Sequence, residues 1–224
     1  DIMIEIGISY VEYLNKLKKE ELIKIITDYN KMCEIFDETK IEDTKSKKDV
    51  LVEKINEIKN KYLKYLIMSL DLKDYESLKN ILKKNDTKTL NEHKELINYF
   101  IDKHIIFQKD NLEVPNDLEF KYCFKNKDIL KYVKKWNRIY DLANGTIIAY
   151  GVVSKKYFSF IISGIEEKDK IISKLEFYYK KEYIIEDKMI VSTKLSNKKR
   201  INKYFKDGNY KGFTNKEYVE MGKN

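Results

Sequence analysis

Only one proline, Pro115, and seven glycines interrupt 224 residues, and this scarcity constrains the fold more than any motif does. Tight turns and all-β folds draw on those residues for their special backbone angles. Long helices are therefore the expected elements. From Tyr13 to Tyr29, the residues Leu14, Leu17, Leu22, Ile25 and Ile26 recur at helical spacing, with Lys and Glu filling the other face. The period fades from Met32 to Lys45, which reads as an extended polar connection. Ser46-Lys-Lys-Asp49 then supplies an S-x-x-D cap for a second helix carrying Leu51, Ile55, Ile58, Tyr62 and Leu66. Residues 14–66 are expected to be helical apart from this connection.

Further along, the pattern predicts a helix over Tyr75–Lys84, a turn at Asn85–Lys88, and a T-x-x-E box at Thr89–Glu92 opening a helix to Lys103. The period then changes. Ile105–Phe107 and Leu112–Val114 flank a polar turn and read as a hairpin. Helix, turn, helix and a two-stranded wing make the outline of a winged helix. A second copy of that outline follows. Asn126–Tyr150 is helical in pattern with a break expected near Asn144-Gly145, and Gly151–Ser154 reads as a turn with Ser154 as a cap. Lys155–Ser163 is a further helix, and Tyr183–Ile185 with Met189–Val191 a second hairpin. Thr214–Glu217 fits the cap of a C-terminal helix. The expected fold class is mainly α: an N-terminal helical module (1–70), a first winged-helix-like unit (71–122) and a second (123–224) with a basic tail.

The stretch Leu17-Lys-Lys-Glu-Glu-Leu-Ile-Lys-Ile-Ile26, followed by Lys45-Ser-Lys-Lys-Asp-Val-Leu-Val-Glu-Lys-Ile55, resembles the helix-extended-loop-helix of SAP domains and of the N-terminal module of transcription terminator Rho. The resemblance covers residues 14–58. It implies a module that binds DNA or supports an RNA-binding domain. The same residues also fit an ordinary helical hairpin.

Charge is unevenly spread. Residues 1–114 hold 21 Lys and Arg against 23 Asp and Glu, and residues 115–224 hold 24 against 14. The second half is thus the expected surface for an acidic partner, nucleic acid first. Within it, Ile129, Val133, Trp136 and Tyr140 fall at i, i+4, i+7 and i+11, while Lys127, Lys131, Lys134 and Arg138 repeat that spacing on a neighbouring face with Lys135 beside them. A second cluster, Lys198, Lys199, Arg200, Lys203 and Lys206, is interleaved with Tyr204 and Phe205. Lysine predominates over arginine, which favours phosphate positioning over base reading. A lysine-rich coding composition would also produce basic stripes, and a helical protein-interaction module is the competing reading.

No Walker loop, dinucleotide-binding glycine motif, nucleophile elbow or H-E-x-x-H occurs. Asp117-Leu-Glu119-Phe-Lys121 resembles the metal-binding strand of PD-(D/E)xK nucleases, a third reading that needs a central sheet. Cys33, Cys123, His93 and His104 are too scattered for a tetrahedral metal site. The expectations are therefore a non-enzymatic chain with no catalytic residues, no metal and no cofactor. Nucleic acid, DNA or RNA, is the expected partner, with a protein partner as the alternative. The longest uncharged run, Leu142–Ser154, is too short to span a bilayer, so no membrane partner is expected and the cytoplasm is the expected location. Because the chain opens at Asp1 without an initiator methionine, a preceding piece is expected.

Overall fold

The computed structural model describes residues 3–194, apart from 163 and 165. It is mainly helical, with two small three-stranded sheets. The chain divides into two compact units, Asp1–Val133 and Lys134–Asn224. The expected segments 1–70 and 71–122 both fall within the first.

The first unit opens with a short strand, β1 (Ile4–Ile6), and helices α1 (Tyr10–Lys16) and α2 (Lys19–Phe36). The Glu21 carboxylate accepts the Lys18 N–H at 2.8 Å and holds the start of α2. Its buried stripe runs through Leu22, Ile25, Ile26, Tyr29, Met32 and Cys33, so the helix continues past Met32, where an extended connection was expected. Met32, Cys33 and Ile35 are all buried, and their packing extends the helix. It ends at Asp37, whose left-handed backbone (φ 54°) stops it. The connection is correspondingly shorter. Asn30 pins it through two hydrogen bonds of 2.8 Å with the backbone of Ile41.

Helix α3 (Lys48–Met68) packs along α2 and α1, with Tyr62 edge-on to Tyr29. Ser46 does not cap it. The Ser46 hydroxyl donates to Asp43 instead, and Lys47 takes the N-cap position. Next come α4 (Leu72–Lys84), α5 (Thr87–Glu92) and α6 (Lys94–Asp102). The expected capping box at Thr89 lies inside α5, because Asp86 caps that helix by accepting the Thr89 N–H at 2.7 Å. A break at His93 then separates α5 from α6.

Strands β2 (Phe107–Gln108) and β3 (Leu112–Val114) form the expected antiparallel hairpin, with Phe107 opposite Glu113 and Gln108 opposite Leu112. The third strand comes from the other end of the unit: β1 pairs parallel with β3, Ile4 opposite Leu112 and Ile6 opposite Val114. Asn85 completes the outer edge of β1 by bonding both the N–H and the carbonyl of Ile4. Gly7 admits no side chain, since a Cβ there would stand 1.8 Å from the Tyr13 hydroxyl, which itself donates to Glu113 at 2.8 Å.

A short helix α7 (Phe120–Lys125) leads into α8 (Lys127–Tyr150), which passes from the first unit into the second. No break occurs at Asn144-Gly145. Ala143, Thr146 and Ile147 are buried around the glycine, and tertiary packing carries the helix through it.

In the second unit, residues Val152–Ser154 form a strand, β4, rather than a plain turn, and Ser154 also caps α9 (Lys155–Ile161) by accepting the Tyr157 N–H at 3.0 Å. Helix α10 (Lys168–Phe177) was not foreseen. Strands β5 (Tyr183–Ile185) and β6 (Met189–Ser192) make the expected hairpin, and β6 is the central strand, antiparallel to both β4 and β5. The core gathers Trp136, Tyr140 and Ile147 of α8 with Val152, Phe158, Ile171, Leu175 and Ile190. Among the described residues no helix is long and apolar enough to cross a membrane.

Candidate nucleic-acid interface

Helix α8 begins where the Asn126 side-chain oxygen accepts the N–H groups of Asp128 (2.9 Å) and Ile129 (3.3 Å), satisfying donors that a helix start leaves open. Ile129, Val133, Trp136 and Tyr140 are buried, and Lys127, Lys131, Lys134, Lys135 and Arg138 are exposed. Lys127 and Lys131 belong to the first unit and Lys134, Lys135 and Arg138 to the second, each set exposed opposite buried residues of its own unit. Beyond Arg138, Leu142 and Gly145 continue the direction of the row and are buried, so the row ends there.

The five are not equivalent. Lys135 forms an ion pair with Glu166, which offsets its charge. Among the described residues, Lys127, Lys131, Lys134 and Arg138 form no ion pair. The second expected cluster, Lys198, Lys199, Arg200, Lys203 and Lys206, lies outside the described residues.

Behind the row sits a lysine that sequence reasoning missed. Lys174, on α10, is fully buried, with its Nζ 4.3 Å from the centre of the Trp136 ring. Burial pushes its ammonium well below the ordinary lysine range, the charge of Lys135 pushes the same way, and Glu166 opposes them. Tyr178 stacks on Tyr140 at 4.2 Å in the same core. The signal was present in the spacing: Ile171, Lys174, Leu175 and Tyr178 share one helical face, and a lysine among those positions is an interior lysine.

Residues weighed for other chemistry are spoken for. Glu119 and Lys121 lie at the start of α7, not on a strand, and Asp117 accepts the Tyr10 N–H and faces Lys59 at 3.6 Å. Among the described residues no group of three or more His, Cys, Asp or Glu could hold a metal ion. Cys33 and Cys123 are free and buried. Burial raises both thiols, Cys123 to about 11, which keeps them protonated and poorly nucleophilic at neutral pH. His104 holds a left-handed backbone after α6, and its lowered pKa stems first from burial and then from the charge of Lys24. A half-open groove of about 220 Å³ between α6 and the first hairpin is lined by Leu90, Lys94, Ile97, Ile101 and Leu112 and gathers no set of acid and base groups.

The chain matches no protein-family model, and no curated protein or solved structure resembles it significantly.

Proposed function

We propose that this chain binds nucleic acid without catalysing a reaction, docking on the phosphate backbone through the exposed cations of α8. The observation that carries the reading is the row Lys127, Lys131, Lys134 and Arg138, exposed and free of ion pairs among the described residues, on a helix whose other face is core. With a rise of about 1.5 Å per residue, Lys127 and Lys131 of the first unit, and Lys134 and Arg138 of the second, are each about 6 Å apart along the helix. That spacing lets successive cations meet successive phosphates, whose neutralisation releases counterions. Lys198, Lys199, Arg200, Lys203 and Lys206 would add to the same electrostatic surface. The helix-loop-helix of α2 and α3, with its resemblance to SAP and Rho modules, and the winged-helix reading of the two hairpin-bearing segments agree with a nucleic-acid-binding chain. The two buried, free thiols support a reducing compartment, the cytoplasm.

A second reading, docking of a protein partner, draws on the exposed apolar residues Ile148, Phe160 and Ile184 of the second unit. Fluorescence anisotropy with labelled DNA and RNA of unrelated sequences separates the two. Backbone docking predicts similar affinities across sequences and a linear fall of log affinity with log salt, about 0.9 per phosphate neutralised on duplex DNA. Absence of binding to any nucleic acid at low salt would contradict it and favour the protein partner.

A further inference from the structure

The two edges of the first sheet are finished differently. On the β1 side, the Asn85 side chain takes up both the N–H and the carbonyl of Ile4. The β2 side is left open. At the hairpin turn the Lys109 N–H donates to the Asn111 carbonyl at 2.9 Å, and bonded and non-bonded positions alternate along an antiparallel pair. Gln108, opposite Leu112, therefore directs its N–H and carbonyl away from β3. Leu112 agrees, since its own N–H turns to the Met3 carbonyl at 3.1 Å. Gln108 also lines the groove of about 220 Å³ beside α6. The apolar lining is Leu90, Ile97, Ile101 and Leu112, and the polar lining is Asn91, Lys94, Asn98 and Gln108, all of the latter exposed. Among the described residues, none of those polar side chains forms a hydrogen bond or ion pair within the chain. Lys94 is the one charge among the lining residues.

We infer that this groove docks an extended peptide segment carrying an acidic residue. Its backbone pairs with Gln108 at the open edge of β2, an apolar side chain enters over Leu90, Ile97, Ile101 and Leu112, and a carboxylate meets Lys94. Strand addition supplies affinity through main-chain hydrogen bonds, and a side-chain pocket at the edge supplies selectivity. The amides of Asn91, Asn98 and Gln108 both donate and accept, which matches the groups of a peptide. A cavity smaller than the roughly 300 Å³ at which pockets for drug-sized ligands begin suits a peptide side chain rather than a whole cofactor. Lys94, unpaired within the chain, sets the charge of the partner. Such a site operates independently of phosphate docking by α8.

The test is an NMR titration of the isotope-labelled full chain, wild type and Lys94→Glu, with acetyl-Asp-Thr-Val-Thr-Asp-amide. In this peptide the acidic side chains and the valine share one face of the strand. Its counterpart with lysine in place of aspartate, and an analogue N-methylated at the valine, complete the set. Lys94 is exposed, so its reversal leaves the core intact. The wild type is expected to show saturable shifts at Ile97, Gln108 and Leu112 with the acidic peptide and to prefer it over the lysine peptide. Lys94→Glu should weaken the acidic peptide at least about threefold and reverse the preference. N-methylation removes the donor that faces the Gln108 carbonyl and should weaken binding to both proteins. No saturable shift with the acidic peptide up to millimolar concentration, equal affinity of wild type and Lys94→Glu for it, or indifference to N-methylation overturns the peptide site. Shifts at Ile97 and Ile101 produced by decanoate but not by the peptide also overturn it, and make the groove a fatty-acid site.

Discussion

Helices α2 and α8 each bury an apolar stripe, yet they face solvent with different chemistry. On α2, Lys19, Lys24 and Lys31 are interspersed with Glu20, Glu21, Asp28 and Glu34. Lys24 lies 3.8 Å from Asp28 and 3.0 Å from Asp102, and Glu34 pairs with Lys40. On α8 the cations outnumber Asp128 and Asp141, and four of them form no ion pair among the described residues. Both helices come from the same lysine-rich composition, so composition alone would make their faces alike. On α2 only Lys24 pairs with carboxylates, and Lys19 and Lys31 form no ion pair among the described residues, so what sets α8 apart is its excess of cations over neighbouring carboxylates.

The comparison can be broken first at Asp28. Its carboxylate is nearly buried, 3.1 Å from Lys103 Nζ, and it ties α2 to the end of α6. Removing it takes away the nearer of the two carboxylates that Lys103 faces, Asp102 lying 3.9 Å away, so Asp28→Ala should cost about 2 kcal/mol of stability in the first unit. Chemical denaturation measures this. A loss below about 1 kcal/mol, the worth of an exposed pair, would show that α2 carries ordinary surface charge.

Lys174, behind α8, offers a smaller effect of opposite sign. Replacing it with methionine keeps the volume and removes a group whose charged form folding disfavours, so Lys174→Met should stabilise the second unit by about 1 kcal/mol at neutral pH. The sign of its pH dependence follows from the lowered pKa. Between that depressed value and the ordinary lysine value, the unfolded chain binds a proton that the folded chain does not. Native stability contributed by this group therefore rises with pH across that window. The wild type should gain stability relative to Lys174→Met as pH is raised toward the ordinary lysine value. A difference that stays constant with pH would mean that Lys174 keeps its charge when folded.

Much of this architecture was legible in the residues. The apolar period marked α2, α3 and α8, and runs of β-branched and aromatic residues marked both hairpins to within about two residues. What escaped depended on distant partners. β1 becomes a strand because Ile4 meets Leu112, more than a hundred residues away, and β4 because Val152 meets Val191. Neither pairing leaves a local trace. Gly145 looked like a helix break because intrinsic propensity disfavours glycine there, and burial of its neighbours overrides that preference. For the candidate site, the spacing separated the core face of α8 from its cationic face correctly. It could not show that Lys135 is engaged by Glu166 or that Lys174 lies beneath Trp136, since both depend on the packing of the second unit.

The central claim is that the cations of α8, unlike those of α2, neutralise phosphates. The most direct measurement is the salt dependence of duplex DNA binding for three proteins: wild type, a variant with Lys127, Lys131, Lys134 and Arg138 changed to glutamine, and a control with Lys19 and Lys31 changed to glutamine. All six positions are exposed, so circular dichroism should report native helix content throughout. Backbone docking predicts that the α8 variant flattens the slope of log affinity against log salt by up to roughly 3.6, with equal losses on unrelated sequences, while the α2 control keeps the wild-type slope. An α8 variant with unchanged affinity and slope, or an α2 control that loses as much, would contradict the account.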